Sequence, residues 1–196
     1  MNFSVPFVLA SQSPRRRHLL ALLDVDFEIQ ASDVDESVEP GLPPFEVARS
    51  LAIEKASAVA NSRPASLVLG ADTIVLLENT ILNKPQDDDE ARSMLRRLSG
   101  QTHTVVTGIA LVHQASRRVV AKTEATLVTF APLTGEEIDS YVATGSPLDK
   151  AGAYGIQDDR GALYIERIDG DYYNVVGLPL HRLYTVLKSD FKDLLV

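Results

Sequence analysis

Leu67-Val68-Leu69-Gly70-Ala71-Asp72-Thr73-Ile74-Val75 is a nearly unbroken apolar run of strand length that carries a single carboxylate. A run of this kind suits a strand covered on both faces, as in the middle of an α/β sheet. It predicts a central strand over residues 67–75. Working outward, residues 7–10 give a short apolar strand, and Ser13-Pro14 then supplies a cap followed by proline at the first helical position. A helix is expected to about Leu23. Residues 27–30 suggest a second strand and residues 31–43 a polar, proline-marked loop. A helix over residues 44–60 leads into the central run.

Beyond it, a turn at Glu78-Asn79 precedes a helix over residues 86–98, with Ala91, Met94, Leu95 and Leu98 at helical spacing. Residues 102–113 and 118–130 are β-rich and joined by a short polar turn, which predicts an antiparallel hairpin. Thr134 and Glu137 form a capping box for a helix through Tyr141. One more strand over residues 163–168 and a helix over residues 179–188 complete the chain. The fold class expected is α/β, a compact mixed protein with two lobes around a cleft. The whole of residues 1–196 reads as a single domain.

With 196 residues and 45% hydrophobic content, the chain can bury a core of its own. A formal net charge of -8 argues against a nucleic-acid polymer as ligand, because such binding draws on a basic face. A nucleotide needs only a local basic pocket. The chain has no cysteine, which removes disulfides, thiolate catalysis and thiolate metal sites and suits a reducing compartment. No membrane span or export signal is visible, so a cytoplasmic location is expected. The sequence does not fix the oligomeric state, and a homodimer stays open.

Three basic residues, Arg15, Arg16 and Arg17, crowd the start of the first helix, where positive charge opposes the helix dipole. Helix stability alone would not choose them there. Guanidinium forks suit phosphate oxygens, and the free N–H groups of a helix start add to an anion site with Ser11 at its edge. The alternative is a solvated basic turn. Lys55 falls within the inward stripe of the helix over residues 44–60, so its ammonium must snorkel outward or meet an anion. Asp72, in a buried strand, must lie at the strand's exposed end or meet a cation. A core ion pair is the structural alternative.

Lys84, in Asn83-Lys84-Pro85, follows that strand and could reach the same site. Asp87, Asp88, Asp89 and Glu90 are better explained as first-turn acids of a helix than as metal ligands. Glu36, in the polar loop, is the better candidate for a metal or water ligand. In the small-residue segment 149–157, Gln157 offers donor and acceptor together, matching the edge of a uracil or thymine ring. An ordinary glycine turn is the other reading of that segment.

These segments together resemble the Maf family of nucleotide pyrophosphatases. The resemblance rests on Leu9-Ala10-Ser11-Gln12-Ser13-Pro14-Arg15-Arg16, Glu54-Lys55-Ala56, Gly70-Ala71-Asp72-Thr73-Ile74-Val75 and Asn83-Lys84-Pro85. Leu98-Ser99-Gly100-Gln101-Thr102-His103 and Asn174-Val175-Val176-Gly177-Leu178-Pro179 complete it. It implies an α/β fold like that of the inosine triphosphate pyrophosphatases, a long twisted mixed sheet with helices on both faces and two lobes around a cleft, and cleavage of dTTP or UTP to the monophosphate and pyrophosphate. On the matching positions it implies Asp72 as general base, Ser11, Arg15, Arg16, Lys55 and Lys84 as the phosphate-binding set, and Glu36 as a further acid near the cleft. Arg15, Thr73 and Gln157 align with positions that separate the family's branches, and the Ala-Tyr-Gly-Ile-Gln pattern is similar to the dTTP and UTP branch. A divalent cation, Mg²⁺ or Mn²⁺, is expected to bridge the triphosphate. The rival reading is a nucleotide-binding regulator of cell division, since members of the family have been linked to septum arrest.

Overall fold

The computed structural model describes residues 1–34, 41–158 and 160–196. By its internal contacts the chain divides into two compact units. The first comprises Met1–Asp72, Thr107–Glu124 and Gly177–Val196, and the second Thr73–Val106 and Ala125–Val176.

In the first unit, the apolar triplet of β1 (Phe7–Leu9) is fully buried and pairs in parallel with β2 (Glu28–Ile29) and with the start of β3 (Leu67–Leu77). Leu9 lies opposite Ile29 on one side and Leu69 on the other. Helix α1 (Pro14–Ala21) starts where expected: Ser13 caps it by accepting from the Arg16 N–H, and Pro14 opens the first turn. Helix α2 (Pro44–Ser62) sends Ala52, Ala56 and Val59 into a core with Val8, Val68 and Ala110. The C-terminal helix runs over Leu180–Asp190.

In the second unit, the later part of β3 pairs antiparallel with β4 (Thr80–Leu82), Val75 lying opposite Leu82. Helix α3 (Asp88–Leu98) is capped by the Asp87 carboxylate on the Glu90 N–H, so the acids of that run do serve a helix start. Strands β5 (Thr102–His113) and β6 (Arg118–Phe130), each of which contributes residues to both units, keep the bounds expected of the hairpin. Thr134 and Glu137 cap α4 (Gly135–Val142) reciprocally. Strand β7 (Ile165–Asp169) starts later than expected, because residues 161–164 coil into a 3-10 turn. Two elements were not foreseen, β4 and the short helix α5 (Tyr172–Val176), after which the C-terminal helix is α6.

Among the described residues the strands form a seven-stranded sheet in the order β2-β1-β3-β5-β6-β7, with β4 attached to β3. Parallel pairing around β1 and antiparallel pairing of β3 with β4 and β6 with β7 make it mixed. The α/β class expected from the sequence is the one formed. No described helix is long and apolar enough to cross a membrane.

Candidate active site

The site begins with a glycine. A Cβ on Gly70 would come 2.3 Å from the Ala52 carbonyl oxygen and 2.7 Å from the Ala56 nitrogen, so α2 rests directly on the β3 backbone there. Gly108 in β5 admits the same helix one turn earlier, its added Cβ meeting the Ala48 carbonyl oxygen at 2.2 Å. On the helix held this close, Lys55 is buried. Its Nζ lies 2.6 Å from Asp72 Oδ1, and the two side chains are only 9% and 11% exposed. Asp72 therefore lies inside β3 rather than at its end and meets a cation, which is one of the two expected outcomes and also the core ion pair named as the structural alternative. Two charges this dry must satisfy each other, since leaving either without a counter-charge is expensive.

Parallel pairing of β1 with β3 brings the phosphate-loop candidate alongside. The Ala10 N–H donates to the Leu69 carbonyl at 2.8 Å, which sets Ser11, the next residue, level with the stretch of β3 that ends in Asp72. Ser11 is buried and its Oγ accepts from the Ser13 N–H at 3.2 Å. Arg15 and Arg16 stand half-buried in the first turn of α1, whereas Arg17 is exposed. Arg16 is aimed rather than loose: its Nε donates to the Gly177 carbonyl at 3.0 Å. A serine hydroxyl, two guanidinium groups and a buried ammonium–carboxylate pair thus belong to one unit of the chain.

Three further candidates belong to the second unit. Thr73 follows Asp72 along β3 and is partly buried, while Lys84 and Gln157 are exposed in the segments after β4 and after a 3-10 turn over Ala151–Ala153. Glu36 lies outside the described residues. Among the described residues there is no group of three histidine or acidic side chains able to hold a metal by itself. The described carboxylate among the candidate residues is Asp72, in the unit that holds the candidate phosphate-binding residues Ser11, Arg15 and Arg16. That fits an ion such as Mg²⁺, which is commonly held by one or two carboxylates together with substrate phosphates, and does not fit a dedicated protein cage.

Two buried polar groups were passed over in the sequence. His103 is buried in β5, its Nε2 2.7 Å from the Tyr154 hydroxyl and its ring edge-on to Phe130. Burial lowers its pKa to about 4, so the imidazole is neutral at pH 7. Lys150 is buried as well, with its Nζ on Asp149 and Asp158. The Asn174 motif has a structural explanation. Its Nδ2 donates to the Val105 carbonyl and to Thr126 Oγ1, each at 3.0 Å, which moors α5 to β5 and β6.

A mixed α/β sheet, with an arginine-headed helix and a buried carboxylate in one unit, defines the class as an α/β protein with a candidate anion site. Comparison with known proteins narrows the class. A family model described as Maf-like protein matches residues 6–190, and the chain belongs to that family. It is 54% identical over 195 residues to a dTTP/UTP pyrophosphatase of Salinibacter ruber, covering 100% of this chain and 96% of that protein. It is 52% identical over 183 residues to a dTTP/UTP pyrophosphatase of Bacillus cytotoxicus, covering 93% and 94%. Among solved structures it is similar to a HAM1 protein from Coxiella burnetii, with a TM-score of 0.48 and 18% identity over 94% of this chain and 98% of that one. The fold assignment rests on the chain's own sheet rather than on that last likeness.

Proposed function

We propose that this chain is a nucleoside triphosphate pyrophosphatase that hydrolyses dTTP and UTP at the α-phosphorus. The observation that carries the reading is the gathering of Ser11, Arg15 and Arg16 at the start of α1 in the unit that also holds the buried Asp72, in a chain 54% identical to a dTTP/UTP pyrophosphatase. A regulator that only bound nucleotides would gain little from a carboxylate placed among phosphate-binding cations. A hydrolase needs one.

In this reading Asp72 accepts the proton of a water whose oxygen attacks the α-phosphorus. The new P–O bond forms as the bond from the α-phosphorus to the bridging oxygen breaks, and pyrophosphate leaves with that oxygen. Lys55 orients the carboxylate, while Arg15, Arg16, Lys84 and the Ser11 hydroxyl hold the phosphates in line. Asp72 and Glu36 are the residues that would hold a divalent cation, Mg²⁺ or Mn²⁺, which when bound supplies charge neutralisation on the triphosphate. Thr73 and Gln157 serve substrate selection: the Gln157 amide accepts from the ring N–H of uracil or thymine and donates to a neighbouring carbonyl. Cytosine reverses part of that pattern. We assign the reaction to the cytoplasm, and a homodimer is the assembly to look for.

Hydrolysis of UTP in H₂¹⁸O tests the reaction. UMP and pyrophosphate are expected in equal amounts, with the label in UMP. Appearance of UDP and inorganic phosphate as first products would move the attack to the γ-phosphorus and overturn the reading.

A further inference from the structure

A densely bonded polar group in the second unit takes no part in the phosphate chemistry. Asp158 Oδ2 accepts from the Tyr141 hydroxyl at 2.9 Å and from Ser146 Oγ at 2.7 Å, and stands 3.2 Å from Lys150 Nζ. The lysine also donates to the Ser146 carbonyl at 2.6 Å and to Asp149 Oδ1 at 2.6 Å. The Tyr141 hydroxyl in turn accepts from the Gly155 N–H at 3.2 Å. One carboxylate therefore joins α4, the 3-10 turn over Ser146–Asp149 and the backbone of residues 155–158.

The loop is folded tightly over that carboxylate. A Cβ on Gly155 would fall 2.8 Å from Cγ and from both carboxylate oxygens of Asp158. Just upstream, Gly152 and Ala153 take φ of 70° and 62°. A left-handed alanine costs on the order of 1 kcal/mol and persists only where its surroundings fix it. Tyr154 is the fixing point on that side, its hydroxyl on His103 and its ring edge-on to Phe130. Gln157 thus lies between two anchors, the His103–Tyr154 contact and the Asp158 carboxylate.

We propose that Asp158 is a positioning residue for base selection, holding the backbone of residues 155–158 so that the adjacent Gln157 presents its amide in one orientation. The proposal rests on the reading of Gln157 as the residue that meets the base. An exposed glutamine samples many rotamers, and a contact on a loose backbone discriminates poorly because ordering it consumes the gain.

The test is the ratio of kcat/KM for UTP to that for CTP in the wild type, Asp158→Ala, Tyr141→Phe, Gln157→Ala and the double variant Gln157→Ala with Asp158→Ala. Asp158→Ala is expected to lower the ratio about tenfold, chiefly through a raised KM for UTP. Tyr141→Phe, which keeps the buried ring, is expected to lower it in the same direction and answers the question should Asp158→Ala fold poorly. In the Gln157→Ala background Asp158→Ala should change the ratio no further, because no amide remains to be positioned. A wild-type ratio in both Asp158→Ala and Tyr141→Phe, with Gln157→Ala still lowering it, overturns the positioning role and leaves the base reading standing. So does full additivity in the double variant. If Gln157→Ala itself leaves the ratio unchanged, the base reading fails and this inference falls with it.

Discussion

Lys55 and Asp72 are each other's answer to burial: an ammonium and a carboxylate 2.6 Å apart, with side chains 9% and 11% exposed. Removing one member of such a pair typically costs about 3–5 kcal/mol, because the other charge stays behind in a dry site. Asp72→Asn is thus expected to do two things. It should lower kcat by roughly 10² to 10⁴, the usual worth of general acid–base help, and it should also lower stability by about 3 kcal/mol. Circular dichroism at the assay temperature separates the effects, and a fully folded variant that keeps most of its kcat would remove Asp72 from the role of base. Both residues were legible as candidates, since each places a charge in an apolar pattern. Their pairing was not, because 17 positions separate them and only the seat of α2 on β3 closes that gap. Lys150 was illegible for a similar reason: its segment reads as a run of small residues, and its partner Asp158 follows only on a loop.

At the level of elements, the long segments were readable and the short ones were not. Strands β5 and β6 have the lengths at which β-rich composition and a polar turn leave little choice. Strand β4 has three residues and α5 five, too few for any period to show; β4 folds straight back on the end of β3, while α5 is held by a partner distant in sequence. Ile81 of β4 faces Leu76, and Asn174 of α5 reaches Val105. The contact that matters most for the site, α2 on β3, depends on the missing side chain of Gly70. Gly70→Ala would drive a methyl group to 2.3 Å from a helix carbonyl, and neither backbone can yield without losing its own hydrogen bonds. Overpacking of this kind costs about 1–3 kcal/mol. The expected outcome is a lower melting temperature together with a fall in kcat/KM, since lifting α2 lifts Lys55 from Asp72. A variant with full activity and an unchanged melting temperature would show that the helix does not need the glycine.

One contribution to the stability of the whole molecule against acid comes from a buried histidine whose pKa is lowered by burial. His103 faces Tyr154 and Phe130, and among the described residues its Nδ1 has no hydrogen-bond partner. Burial drives its pKa from 6.5 to about 4, and a second N–H at Nδ1 would have nothing to donate to. The Tyr154 hydroxyl is pushed upward by burial, so it stays neutral throughout this range. Between pH 6.5 and pH 4 the unfolded chain therefore binds a proton on this histidine that the folded chain does not. Under that inequality stability rises with pH, so it is fully present above about 6.5, falls as the pH drops, and stops falling on this account below about 4. Going from pH 7 to pH 5 removes about 2 kcal/mol through this group alone, at 1.36 kcal/mol per pH unit in the steep part. Carboxylates titrate mostly below that interval, which keeps the histidine's contribution separable. His103→Gln retains an amide able to bond the Tyr154 hydroxyl and cannot titrate, so it is expected to be less sensitive to acid even where it is less stable at pH 7. Urea titrations of the wild type and His103→Gln at pH 7 and pH 5 measure the difference directly. Equal losses of stability in the two proteins over that interval would mean that His103 takes up its proton without unfolding the chain.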